Sequence, residues 1–138
     1  MTANKRCTPG DALAPMKTGR GHRIRHVAQE ISSGHAMLDM RNSCLRFLRY
    51  LDELAGREGL TSTQWMILDV LCKAGPCSVR TLSTHLAHDA GAMTRVLDSL
   101  ESKELIERRR CVADRRILFV TISASGKVVV ARLATAVG

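Results

Sequence analysis

The sequence predicts a mainly α-helical fold with one small β-hairpin, and three observations predict it. Apolar residues recur at helical spacing in several segments, as in Met93, Val96, Leu97 and Leu100. Helix-starting side chains stand at the heads of those segments: Thr61 with Gln64, then Ser78, Asp89 and Ser123. Two short β-like runs, 106–111 and 117–121, flank a polar turn.

Taken in order, residues 1–21 hold Pro9, Pro15 and three glycines with little periodicity, and read as a mobile basic arm. Ile24, Val27, Ala28 and Ile31 then suggest a short amphipathic helix. A longer helix is expected over 35–56, with Met37, Met40, Cys44, Phe47, Leu48, Leu51, Leu54 and Ala55 as its apolar face and Gly56 and Gly59 at its end. Thr61 and Gln64 have capping-box spacing and open the next helix. Trp65, Ile67, Leu68, Val70, Leu71 and Cys72 make that helix apolar nearly all round, hence buried, and Gly75-Pro76 stops it. Ser78 caps a helix over 79–87 with Val79, Leu82 and Leu86 inward.

The next helix starts at Asp89 after a brief link. Its inner stripe is the one named first, and its other face shows Thr94, Arg95, Asp98 and Ser99. Two short helices joined by a tight turn, the second polar and basic outside, have helix-turn-helix form. The β-runs add a wing, whose turn is surrounded by Arg108, Arg109, Arg110, Arg115 and Arg116. A helix sized for the major groove beside a basic ribbon that reaches the minor groove is what reading a DNA duplex requires. Ser123 caps a last helix carrying Val128, Val129, Leu133 and Val137. The expected organisation is therefore a basic arm (1–21), N-terminal helices (22–58), a winged helix-turn-helix (59–122) and the start of a C-terminal helix (123–138).

A length of 138 residues suits one domain, or one domain with arms. Its formal charge of +8 and pI near 9.9 favour a polyanionic partner. Six basic residues (Lys5, Arg6, Lys17, Arg20, Arg23 and Arg25) against Asp11 and Glu30 place half of that charge in residues 1–30. The apolar runs are too short to span a bilayer, and no secretory leader pattern is visible. Five cysteines, an odd number without metal-ligand rhythm, suit a reducing cytoplasm. No phosphate loop, nucleophile elbow or metalloprotease pattern points to an enzyme or a cofactor. His22 and His26, and His85 and His88, have pairwise ligand spacing, but neither pair shows a third ligand, so no metal is assigned.

LTSTQW (60–65), the GP break (75–76), the run TLSTHLAHDAGAMTRVLDSLESKELIERRR (81–110), DRR (114–116) and VTISASG (120–126) together resemble the MarR family of bacterial transcription regulators. The resemblance implies a homodimer with two winged lobes on a pseudo-palindromic operator. It further implies repression relieved by a small phenolic or aromatic-acid ligand, or by thiol oxidation. Carried onto this chain, it makes Thr94 and Arg95 base and phosphate contacts, and Asp114 and Arg116 the family's Asp-x-Arg of the wing. Arg115 and Arg110 are added as wing contacts, with Arg115 the side chain for the minor groove. Asp114, which phosphate repels, is expected to orient a neighbouring arginine. Ser78, Arg80, Thr81 and Ser83 are phosphate-contact candidates at the preceding helix, against the plainer reading of a cap and an exposed face.

The family's glycine after the recognition helix is replaced in Lys103-Glu104-Leu105, at an expected cost of about 1 kcal/mol. The family's final dimerisation helix has no counterpart before Gly138, so the flanking dimerisation unit reads as truncated. That motivates an alternative function, an interaction module that heterodimerises with a full-length homologue and blocks its DNA binding. Met37, Met40, Cys44, Trp65 and Met66 are the ligand-pocket candidates. Among cysteines, Cys111 is the redox candidate, because five nearby arginines favour its thiolate. Cys72 and Cys77 flank Gly-Pro and form a possible pair.

Overall fold

The computed structural model describes residues 34–138. The basic arm and the short helix expected at 24–31 lie outside the described residues. Five helices and three strands follow in order: α1 (Gly34–Gly56), α2 (Ser62–Ala74), β1 (Cys77–Ser78), α3 (Val79–His85), α4 (Ala90–Ser102), β2 (Ile106–Arg110), β3 (Leu118–Ile122) and α5 (Ala124–Val137). The sheet is antiparallel in the order β1-β3-β2, with Cys77 opposite Val120 and Arg108 opposite the same Val120 from the other side. The sequence predicted only the hairpin. A two-residue strand is too short to show an alternation, and β1 exists because β3 offers it an edge.

Each expected helix start is present for the expected reason. Thr61 accepts from Gln64 N while Gln64 Oε1 accepts from Thr61 N, a complete capping box. Ser78, Asp89 and Ser123 accept from Thr81 N, Ala92 N and Gly126 N. Such caps stabilise by about 1 kcal/mol each, by satisfying N–H groups that the helix leaves free.

Three helix ends share one closure. At α1, Leu60 N donates to Ala55 O and Gly59 N to Gly56 O, with Gly59 at φ 70°. After α3, His88 N donates to Ser83 O around Ala87, at φ 50°. After α4, Leu105 N donates to Leu100 O and Glu104 N to Glu101 O around Glu104, at φ 59°. This is the Schellman geometry, which wants a residue without a Cβ at its left-handed position. Only the first of the three turns has one. Glu104 thus carries a Cβ at the left-handed position, where a cost of about 1 kcal/mol is expected.

The core centres on α2, which touches α1, α4, α5 and β3. Ile67, Leu68, Leu82, Met93, Leu97 and Leu100 are fully buried. Two expectations need correction. Cys72 is exposed, because α2 keeps one side open to solvent. Val130, not Val128 or Val137, joins Leu133 in the core from α5. On α1 only Leu54 and Ala55 are buried, and Met37, Met40, Phe47 and Leu48 are exposed.

Gly126 lets α5 approach the turn after α4. A Cβ there would overlap Leu105 O and lie 2.7 Å from Ile122 Cγ1. Gly126→Ala is therefore expected to lower stability in urea denaturation by about 1–3 kcal/mol, the usual cost of overpacking. Glu104→Gly and Ala87→Gly are expected to raise it by about 1 kcal/mol each, by relieving left-handed strain. The reverse signs would show that these turns are not built as described.

Candidate nucleic-acid interface

α4 and the wing present the side chains singled out in the sequence, and the structure sorts them. Met93, Leu97 and Leu100 point inward and anchor α4. Burial of each contributes roughly 1.5–3 kcal/mol. Thr94 and Arg95 are exposed on the outer side, with Thr94 Oγ1 donating to Ala90 O at 2.8 Å.

Asp98 and Ser99 sit on the same helix but are engaged within the protein. Asp98 Oδ1 lies 2.6 Å from Arg108 Nη2, and Ser99 Oγ accepts from Gln64 Nε2 at 2.9 Å. Asp98 and Ser99, candidate DNA contacts from the sequence alone, therefore also hold α4 within the protein, and the Asp98 side chain stays 55% exposed. Sequence reasoning missed both partners. Gln64 was read only as a capping residue, yet it is buried, and its Oε1 also accepts from Lys103 Nζ at 3.3 Å. Lys103 Nζ in turn donates to Gly59 O at 2.6 Å, tying the end of α4 to the turn before α2.

Arg108 was grouped with the other wing arginines, but it differs from them. Its side chain is 20% exposed against 77% for Arg109. Nε donates to Glu101 Oε2 at 2.9 Å, and Nη2 contacts both Glu101 and Asp98. The Glu101 hydrogen bond, with Asp98 beside it, holds the guanidinium still more firmly in its charged form than usual. The signal was in the alternation of β2: Ile106 faces the core, and Arg108, two residues on, shares that face.

The wing turn is stiffened by its own backbone. Ile117 N donates to Asp114 O, Cys111 N to Ile117 O, and Arg110 Nη1 to Arg115 O at 2.9 Å. Asp114 Oδ1 accepts from Arg116 N at 3.0 Å and lies 3.4 Å from Arg116 Nε. Asp114 thus sits where a turn-former and orienter of arginine belongs. The Arg116 side chain is 94% exposed, and Arg115 is exposed beside it.

On α3, Ser78 caps the helix and its hydroxyl lies 2.8 Å from Thr81 Oγ1. Arg80 is exposed. Ser83 Oγ is buried with no hydrogen-bond partner among the described residues, which removes it as a contact open to phosphate.

The ligand-pocket candidates divide between two environments. Met37, Met40 and Cys44 are exposed on α1, whereas Trp65 packs partly against the core and Met66 is half-buried. Cys111 is 3% exposed, so the accessible thiolate expected there is not present. Cys72 and Cys77 are both free rather than paired, and burial pushes the Cys77 thiol up. Among the described residues, no cluster of three or more His, Cys, Asp or Glu is arranged to hold a metal ion. No helix among them is long and apolar enough to cross a membrane.

A helix-turn-helix of α3 and α4 followed by the β2–β3 ribbon defines a winged-helix protein. Residues 60–118 match the model of the MarR family. The chain is 31% identical over 70 residues to the transcriptional regulator MhqR of Bacillus subtilis, covering 51% of this chain and 48% of the relative. It is 28% identical over 87 residues to the transcriptional regulator MgrA of Staphylococcus aureus, covering 63% and 59%. Its structure is similar to a mutant MarR of E. coli in complex with operator DNA, with TM-score 0.67 and 28% identity over 79% of this chain and 76% of that one. The winged helix-turn-helix of this chain is a MarR-family domain. The chain spans about half to three-fifths of the length of the curated relatives it matches.

Two exposed and one buried free thiol give a direct check on the placement of α1, α2 and β1. Cys44→Ser and Cys72→Ser are each expected to remove one fast-reacting equivalent toward an aromatic disulfide reagent in native buffer. Cys77→Ser is expected to remove none until the protein is unfolded. Fast loss at Cys77 would contradict its buried position.

Proposed function

We propose that this chain is a sequence-specific regulator of transcription that binds double-stranded DNA. The observation that carries the reading is α4, pinned by Met93, Leu97 and Leu100 while Thr94 and Arg95 stay exposed beside an arginine-rich wing. α4 enters the major groove, where Arg95 is suited to bidentate contact with guanine. Arg115 and Arg116 follow the wing into the minor groove, where a narrow groove concentrates negative potential. Arg80 and the α3 start contact the backbone. The likeness to a MarR–operator complex supports this arrangement.

We further propose a homodimer on a pseudo-palindrome. Met37, Met40, Phe47 and Leu48 recur at helical spacing and are 45–64% exposed, a face that no described residue covers. The finer reading is a cytoplasmic repressor whose binding a small phenolic or aromatic acid relieves. The ligand lodges where a partner copy covers the α1 face that carries Met37, Met40 and Cys44.

The test is selection of duplexes from a random pool, followed by fluorescence anisotropy. Affinity is expected to fall by roughly 10³-fold or more between 50 and 200 mM salt if about six phosphates are contacted. Arg95→Ala is expected to cost about 1–3 kcal/mol and to relax base preference, and Arg116→Ala to weaken binding evenly across sequences. A parent protein that enriches no sequence would contradict the reading. Light scattering is expected to show a dimer for the parent and a monomer for a Met40→Glu/Phe47→Glu variant. A monomeric parent would remove the dimer from the account.

A further inference from the structure

The wing and α4 are separate elements, and apolar packing alone does not fix how one is set against the other. Hydrophobic contact is non-directional and tolerates sliding. One side chain supplies the missing directionality. Arg108 stands on β2 opposite the fully buried Val120 and reaches back to α4. There it meets Asp98 and Glu101, which three-residue spacing places on one side of the helix. Its Nε and Nη2 both engage Glu101 Oε2, and Nη2 also engages Asp98 Oδ1. A planar guanidinium held at two nitrogens by one carboxylate and at one by a second has little freedom to tilt. Two residues further along the same strand, Arg110 donates to Arg115 O at the far side of the wing turn. The linkage therefore runs from α4 through Arg108 and the β2 backbone to the arginines at the wing tip.

We infer that Arg108 is a positioning residue, clamping the wing to α4 so that contacts in the two grooves are made in one register. The inference rests on the DNA-binding reading above and deepens it. Arg108 itself, largely covered and paired, is not a DNA contact. A simpler role for it is to neutralise two carboxylates that would otherwise repel phosphate. The two roles differ in sign when a carboxylate is removed. Loss of a negative charge from a DNA-facing element strengthens binding if charge is all that matters. It weakens binding if the carboxylate holds the clamp.

The experiment uses the duplex that the parent chain enriches from a random pool, with parent, Glu101→Ala, Arg116→Ala and the double variant compared by anisotropy and hydroxyl-radical footprinting. Glu101→Ala is expected to bind about tenfold more weakly, and Arg116→Ala to cost much less in that background than in the parent, because coupled residues are not additive. Minor-groove protection by the wing is expected to fade while backbone protection over the rest of the site stays. Arg108→Lys, which keeps the charge but not the planar fork, is expected to reproduce the weakening, and it serves if Glu101→Ala fails to fold. Tight binding by Glu101→Ala or Arg108→Lys, or strictly additive costs, would overturn the clamp while leaving the DNA-binding reading intact. Failure of the parent to enrich any duplex would overturn both.

Discussion

The structure depends on how firmly α4 is held from behind. A helix that is to read DNA, as proposed for α4, must expose polar groups and yet not move, and α4 meets both demands. Met93, Leu97 and Leu100 are fully buried against the α2-centred core. Interior packing of this density fixes α4 to within the rotamer freedom of its neighbours. The polar ties are at the edges: Gln64 to Ser99, Lys103 to Gly59, and Arg108 to Asp98 and Glu101. The neutral Gln64–Ser99 bond contributes about 0.5–1.5 kcal/mol net, and the bonds made by the charged Lys103 and Arg108 somewhat more. Their value is directional. They decide which way the outer face with Thr94 and Arg95 looks.

Local strain sits close to the same helix. The turn before α4 carries Ala87 and the turn after it Glu104, both left-handed, whereas the equivalent turn after α1 carries Gly59. The two strained turns bracket α4. The cost at Glu104 is borne because flanking contacts over-determine the backbone there: Ser123 N donates to Leu105 O, and Ser123 Oγ donates to Glu104 O at 2.7 Å. The last helix is thus stitched to the end of α4 at the point where Gly126 permits close approach.

Much of this was legible in the sequence because its signals are local. Caps at Thr61, Ser78, Asp89 and Ser123, the inner stripe of α4 and the two hairpin runs are set by side chains within four residues of their effect. What was not legible depends on distant partners. Asp98 and Ser99 look like solvent-facing polar residues until Arg108 and Gln64 arrive from other elements. Ser83 looks exposed until its hydroxyl is found buried. Cys111 looks activated by neighbouring arginines until its own burial is known. The stripe on α1 was correctly seen as apolar, but an amphipathic pattern does not say what it faces. Among the described residues only its last turn meets a core.

The central claim is that α4 and the wing read adjacent grooves of a duplex in a two-fold arrangement. Methylation interference tests it most directly, since dimethyl sulfate marks guanine N7 in the major groove and adenine N3 in the minor groove. On a duplex enriched by the parent chain, the account predicts two clusters of interfering guanines about one helical turn apart. Interfering adenines are expected where the wings reach the minor groove. A single cluster, or interference at neither N7 nor N3, would contradict it.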